Sequence, residues 1–380
     1  MSNRPIRILD CRDSPWVDGP GRTILQVASM VDRARCEIII GAFCGKSHGD
    51  HAYMQEAQRL GLQLLPIIEE SAFDRRVLKQ ISHAIKKESI DILHTHDFRS
   101  HMFGLLCAKM AGIPIMATCH GWIANNRKGK IYMLIDKFTL RFFDCVIAVS
   151  DRMGRQLQEM GIRPDRIRVI RNALVLDEYQ PDRAKQEFRR ELGVSDNTRI
   201  IANIGRLSQE KGQDIFLQAA QVILQDHQDV LFVLIGIGPE EDRLREMAKA
   251  LDIEKYLVFA GYRKNMREIY NSLDLVVQSS YTEGMPNVIL ESLLMEVPVV
   301  ATKVGGTAEV VQDQQTGVLI EPHDLGQLVM GIASFLQNSS WHRQAVKKGR
   351  LFVSQNFDHK KRVELLMDSY DAVSLLKKVG

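Results

Sequence analysis

The sequence predicts an α/β protein of two doubly wound domains, and three observations carry that reading. Short β-branched runs alternate with longer amphipathic stretches, the runs fall into two sets of six, and a segment without clear period divides the sets. A chain of 380 residues is too long for one ordinary core, so two domains of somewhat under about 200 residues each are the natural division.

The first set is Ile6–Leu9, Ile38–Ile40, Leu64–Ile67, Ile92–His94, Ile115–Thr118 and Val146–Val149. Helix-length segments between them imply βαβ units and a parallel sheet. The second set is Ile200–Ile204, Leu231–Ile235, Leu257–Ala260, Leu275–Val277, Val299–Ala301 and Val318–Ile320. Between the sets, Val175–Asp182 lacks periodicity and contains Pro181, which marks the linker. These boundaries give a first domain at 1–175 and a second at 176–359. The terminal segment 360–380 reads as a helix that packs back on the first domain. Ligands of doubly wound sheets bind at the carboxyl ends of the strands, so two facing halves would share one cleft.

Hydrophobic residues make up 45% and charged residues 26%, the balance of an ordinary globular protein. A net charge of +3 is too mild to imply a nucleic-acid partner. Cys11, Cys36, Cys44, Cys107, Cys119 and Cys145 form no metal-ligand spacing and read as reduced, buried thiols. Met1–Asp10 enters a strand without an apolar leader, and no apolar run approaches the roughly 18 residues that span a bilayer. The expected location is therefore cytoplasmic, with membrane contact at most peripheral.

The most informative segment is Thr282-Glu283-Gly284-Met285-Pro286-Asn287-Val288-Ile289-Leu290-Glu291. Glu283 is expected in a turn, and Glu291 two turns into the helix that Pro286 can open. A loop carboxylate beside a helix N-terminus is suited to polyol hydroxyls, because acceptor oxygens and first-turn N–H donors converge there. A capped surface helix with a solvated Glu is the plainer alternative.

Two other regions suit a diphosphate. Asp18-Gly19-Pro20-Gly21 follows the first strand, where glycines before a helix let a phosphate approach the backbone; a plain turn uses the same residues. In Asn203–Gly212, Arg206 offers a planar fork and Lys211 a point charge around a strand-to-helix turn. Gly305-Gly306-Thr307 supplies a further glycine turn in the same half. Together these groups would neutralise a pyrophosphate without a metal, and the chain has no Asp-x-Asp pair of the kind that holds a divalent ion for nucleotide sugars.

Three motifs fail. Gly41–Ser47 has one residue too few for a P-loop, and Gly236-Ile237-Gly238 has Glu241 in place of a third glycine. His94-Thr95-His96 is read as too close-packed for a metal site, its alternate positions facing opposite sides of a strand.

With these residues in view, the chain resembles the family 4 retaining glycosyltransferases of GT-B fold, two facing Rossmann-like domains with an interdomain cleft. The likeness runs over nearly the whole length. It rests on the early glycine loop, Thr118-Cys119-His120-Gly121, Ala148-Val149-Ser150 and Val169-Ile170-Arg171-Asn172-Ala173. It rests further on Gly205-Arg206 with Lys211-Gly212, the Glu283/Glu291 pair, and Gly305-Gly306 with Glu309. The resemblance implies that Arg206 and Lys211 bind the donor diphosphate with Gly19 and Gly21, that Glu291 holds the ribose, and that Glu283 orients the transferred sugar. It also implies that the backbone near Tyr262 and Arg263 edges the base, and that His120 meets the sugar and stabilises the transition state. A satisfied structural histidine is the plain alternative for His120. The resemblance further implies that the segment Met285-Pro286-Asn287-Val288 lines the donor site. That segment departs from the commoner family pattern, because Pro286 lacks an N–H and Asn287 adds a side-chain amide instead.

What the resemblance implies is a retaining, metal-independent transfer of a hexose or N-acetylhexosamine, from a UDP-sugar in preference to a GDP-sugar. The acceptor would be a glycan or polyprenyl-linked sugar in cell-surface polysaccharide or glycoconjugate synthesis. A silent binding subunit of the same fold, a sugar-nucleotide epimerase and a phosphorylase-like protein are the competing readings. Lastly, Arg127–Phe143 sets Ile131, Leu134, Ile135, Phe138 and Phe142 beside Lys128, Lys130, Lys137 and Arg141. Such a helix either rests on the anionic inner leaflet or packs on the first domain.

Overall fold

A computed structural model describes residues 4–45, 51–122, 127–182, 184, 186–337 and 339–376. The chain divides into two compact units, Met1–Asn172 with His359–Gly380, and Ala173–Asp358.

The first unit holds a seven-stranded parallel sheet: β1 (Ile6–Arg12), β2 (Cys36–Cys44), β3 (Leu64–Ile68), β4 (Ile92–Thr95), β5 (Ile115–Cys119), β6 (Cys145–Ala148) and β7 (Ile167–Val169). Their spatial order is β3-β2-β1-β4-β5-β6-β7, so the winding reverses between β1 and β4. Consecutive residues feed opposite faces. Leu9, Leu93, Ile115 and Ala117 enter one apolar cluster, whereas Ile8, Ile92, Met116 and Ile147 enter the other. A sheet covered on both faces needs this near-continuous apolar run. The sequence reading stopped at six strands here. It missed β7, a three-residue edge strand of sequence Ile-Arg-Val that carries almost no periodic signal.

The helix His359–Leu376 completes this unit. Its Val363, Leu366, Met367, Tyr370 and Val373 join the cluster formed by Ile8 and Ile92. Buried Arg362 donates from Nη1 to the carbonyl of Ile170 at 2.9 Å and to that of Arg171. A guanidinium buried this way is tolerated because carbonyl oxygens replace its water.

The second unit repeats the plan with β8 (Arg199–Ile204), β9 (Val230–Ile235), β10 (Leu257–Gly261), β11 (Leu275–Gln278), β12 (Val299–Thr302) and β13 (Val318–Ile320). Their order is β10-β9-β8-β11-β12-β13, all parallel, with the reversal between β8 and β11. At such a reversal the connections leave in opposite directions and open a crevice at the strands' carboxyl ends. Among the described residues, no helix is long and apolar enough to cross a membrane.

Candidate active site

The expected donor-binding groups of the second unit gather at that reversal. The turn after β8 carries Gly205, Arg206 and Lys211, and the turn after β11 carries Glu283. Lys211 Nζ lies 2.7 Å from Glu283 Oε1, so residues 72 positions apart meet across the crevice. The same oxygen accepts from Ser280 Oγ at 2.7 Å and from Gln278 Nε2 at 3.2 Å. Three donors on one oxygen fix the carboxylate's orientation. The Arg206 guanidinium is exposed and makes no ion pair among the described residues. It is thus available to an anion.

Backbone close approach builds these turns. Gly212 has φ +60°, and a Cβ there would lie 2.1 Å from the carbonyl oxygen of Ser279. Gly305, at φ +53°, would place a Cβ 1.9 Å from the Glu283 carbonyl oxygen, and Gly306 N–H donates to Gly284 O at 2.7 Å. The Gly305-Gly306 turn therefore braces the loop that presents Glu283. Gly236 and Gly238, set aside as a failed dinucleotide motif, have a comparable task. Their missing side chains let the turn after β9 press on the backbone of Gly205 and Leu207.

Glu291 is buried in the helix Asn287–Leu294, whose N-cap is Pro286. It lies in the second turn, one turn in rather than the two that the sequence suggested. Tyr179 Oη donates to its Oε1 and Tyr270 Oη to its Oε2, both at 2.8 Å. Burial drives the Tyr270 hydroxyl well above its usual pKa, and the adjacent Glu291 charge adds to the shift. The phenol therefore stays a donor. Neither tyrosine was legible as a partner, because nothing in the sequence ties either position to Glu291. Met285 and Pro286 are buried, Val288 is half-buried, and Asn287 Oδ1 is buried without a hydrogen-bond partner among the described residues. Tyr262 is 56% exposed, while Arg263 is tied to Glu191 and to the carbonyl of Ala260.

In the first unit, the helix Gly19–Met30 begins at Gly19, with Asp18 as N-cap accepting from Gly21 N–H at 2.9 Å. Buried Arg12 binds the same carboxylate at 2.6 Å. One of the helix's free N–H groups is thus already answered by a carboxylate. His120 follows β5, half-buried, with Nε2 3.2 Å from His96 Nδ1. Burial, with neighbouring His96 and Arg12 adding, holds its pKa well below the usual histidine value. The reading of His94 and His96 needs correction, because residues two apart share a face. Their ring centroids are 4.5 Å apart, and Asp10 joins them, its Oδ1 at 2.8 Å from His96 Nε2 and its Oδ2 at 3.5 Å from His94 Nδ1. Both His94 nitrogens also meet hydroxyls, Nδ1 that of Tyr370 at 2.8 Å and Nε2 that of Thr118 at 2.9 Å. The P-loop-like segment ends at Lys46 and Ser47, which lie outside the described residues.

Comparison with known proteins agrees with this architecture. The family model "Glycosyltransferase Family 4" matches residues 17–178, and "Glycosyl transferases group 1" matches residues 184–352. An Escherichia coli UDP-Gal:alpha-D-GlcNAc-diphosphoundecaprenol alpha-1,3-galactosyltransferase is 26% identical over 78% of this chain and 79% of its own. The N-acetyl-alpha-D-glucosaminyl L-malate synthase of Bacillus anthracis is 26% identical over 81% and 80%. Among solved structures, Anabaena HepE in complex with UDP and glucose superposes with a TM-score of 0.86 at 21% identity, covering 97% of this chain and 100% of that one. Sucrose-phosphate synthase from Thermosynechococcus elongatus gives 0.81 at 19% identity, covering 97% and 99%. With both units matched by family models and the whole fold shared with GT-B enzymes, the chain belongs to the family 4 glycosyltransferases.

Proposed function

We propose that this glycosyltransferase moves a hexose or N-acetylhexosamine from a UDP-sugar to a glycan or polyprenyl-linked acceptor, with retention and without a divalent metal. The observation that carries the reading is the Lys211–Glu283 contact of 2.7 Å at the reversal between β8 and β11. It sets a cation for the diphosphate next to a carboxylate for sugar hydroxyls. Arg206 and Lys211 neutralise the leaving diphosphate, the task that a metal ion performs elsewhere. Glu291, oriented by two tyrosines, takes the ribose hydroxyls, and Glu283 orients the transferred sugar. Tyr262 and Arg263 edge the base, while Met285, Pro286, Asn287 and Val288 line the donor site. Gly19 and Gly21 offer backbone approach to the diphosphate, and His120 meets the sugar.

Glu283 Oε1 already takes three donors and is a poor nucleophile, which argues against a covalent sugar–enzyme intermediate, so the retaining route we propose is front-face attack. The acceptor hydroxyl attacks the anomeric carbon on the face that the diphosphate leaves, and its proton passes to the departing phosphate oxygen. The donor nucleotide is supported by the E. coli relative, whose name specifies UDP-Gal, and by the Anabaena structure, which holds UDP. The same relative's diphosphoundecaprenol-linked acceptor supports a lipid-linked one here.

The helix Arg127–Thr139 and the turn after it support contact with the cytoplasmic leaflet. Ile131, Leu134, Ile135, Phe138 and Phe142 are exposed, from 41% for Ile135 to 64% for Leu134, rather than packed on the first unit. Lys128, Lys130 and Arg141 are exposed beside them. An apolar stripe flanked by cations suits an anionic bilayer.

The direct test is donor hydrolysis followed by proton NMR, using UDP-glucose, UDP-galactose and UDP-N-acetylglucosamine with chelator present. At least one donor should release its sugar first as the α anomer. Release of the β anomer would exclude retention, and no release from any donor would exclude the assignment of the nucleotide.

A further inference from the structure

Asp10 and His96 form an array with His120, and the transfer reaction as described above gives neither of the first two a part. Asp10 lies on β1, directly beside His94 of β4. His96 and His120 follow the ends of β4 and its neighbour β5. All three therefore stand at the carboxyl ends of the strands around the first unit's reversal.

The contacts run in series. Asp10 Oδ1 is 2.8 Å from His96 Nε2, His96 Nδ1 is 3.2 Å from His120 Nε2, and His120 Nδ1 is buried without a partner among the described residues. A neutral imidazole carries one N–H and one lone pair. Burial and the nearby charges of Arg12 and Arg362 keep both rings neutral. A lone pair 2.8 Å from a carboxylate oxygen would be repelled by it, so the His96 proton belongs on Nε2, even though that N–H meets Oδ1 off its axis. His96 Nδ1 is then an acceptor, so His120 must carry its proton on Nε2. The remaining nitrogen, His120 Nδ1, is left as a lone pair. His94 stands outside this series, since both its nitrogens meet hydroxyls.

We infer that Asp10 is a positioning residue which, acting through His96, fixes His120 as the Nε2–H tautomer, so that its Nδ1 accepts a hydrogen bond from a hydroxyl of the transferred sugar. The sugar contact rests on the proposed role of His120; the tautomer does not. A histidine free to present either nitrogen would spend part of its time with an N–H toward that hydroxyl, which would lower turnover more than donor binding.

The test uses the full chain labelled with ¹⁵N-histidine at pH 7.5, with long-range ¹H–¹⁵N correlation reporting each ring's tautomer. His120→Gln assigns the His120 signals. The wild-type protein should show His120 protonated on Nε2 alone. Asp10→Ala should mix the tautomers of His96 and His120 and lower kcat about tenfold or more, with donor KM changed less than about twofold. If that variant does not fold, the neutral isostere Asp10→Asn carries the same expectation. His120 protonated on Nδ1 in the wild type, or unchanged tautomers in both variants, would overturn the inference. So would His96 signals that change on adding EDTA, since they would mean that a metal ion sits between His96 and Asp10. A wild-type Nε2–H tautomer together with full transfer activity in His120→Gln would leave the array standing and remove only the sugar contact.

Discussion

Replacing Lys211 by methionine keeps most of the side-chain stem and deletes the ammonium, so its two consequences can be weighed separately. In the folded protein, Glu283 loses the donor at 2.7 Å but keeps Ser280 at 2.7 Å and Gln278 at 3.2 Å. The side chains are 26% and 11% exposed, so the pair lies between a solvated surface bridge and a buried one. With two donors left on the carboxylate, its loss should cost about 1 kcal/mol. For a unit of this size that lowers Tm by about 2–4 °C. In binding, a charge-assisted hydrogen bond to phosphate is worth about 1.5–3 kcal/mol. Lys211 must share its ammonium with Glu283, so the low end applies, and Kd for UDP should rise about tenfold. Calorimetry and a thermal melt on the same samples separate the effects. Unchanged UDP affinity would refute the phosphate role. A fall in Tm above about 10 °C would show that the pair chiefly holds the fold.

Tyr270→Phe removes one of the two phenols on Glu291 and should cost about 1.5–3 kcal/mol, read from the urea midpoint. An unchanged midpoint would mean that the carboxylate is held by other groups. Gly305→Ala forces a Cβ to within 1.9 Å of the Glu283 carbonyl oxygen at φ +53°, so strain of about 1–3 kcal/mol and loss of sugar transfer are expected. Normal transfer in that variant would show that the brace is dispensable. Leu134→Asp with Phe138→Asp should abolish co-sedimentation with vesicles containing phosphatidylglycerol at low salt, while leaving the melt unchanged because both side chains are exposed. Equal binding by the double variant, or no binding by the wild type, would remove the membrane proposal.

Much of the fold was legible because a parallel sheet buried on both faces needs unbroken apolar runs, and Ile38–Ile40 or Leu231–Ile235 have no other plausible use. β7 escaped because three residues at a sheet edge need little apolar content. In the site, the types of Lys211 and Glu283 were readable, but their contact depends on the order β8-β11, which sequence separation conceals. The supports were less legible still. Tyr179, Tyr270, Gln278 and Ser280 act through geometry alone, and Gly236 and Gly238 matched the wrong motif while serving a close backbone approach. His94 and His96 were misjudged by treating positions two apart as opposite, whereas the pleat sets them side by side with Asp10.

The central claim is that the second unit binds a uridine diphosphate through its own cations at the β8–β11 reversal. Calorimetric titration with UDP, GDP and ADP, each with magnesium and with EDTA, tests it most directly. The account predicts that UDP binds best, with the same affinity in EDTA, and about tenfold more weakly to the Lys211→Met protein. Binding that appears only with magnesium, or no binding of any of the three nucleotides, would contradict it.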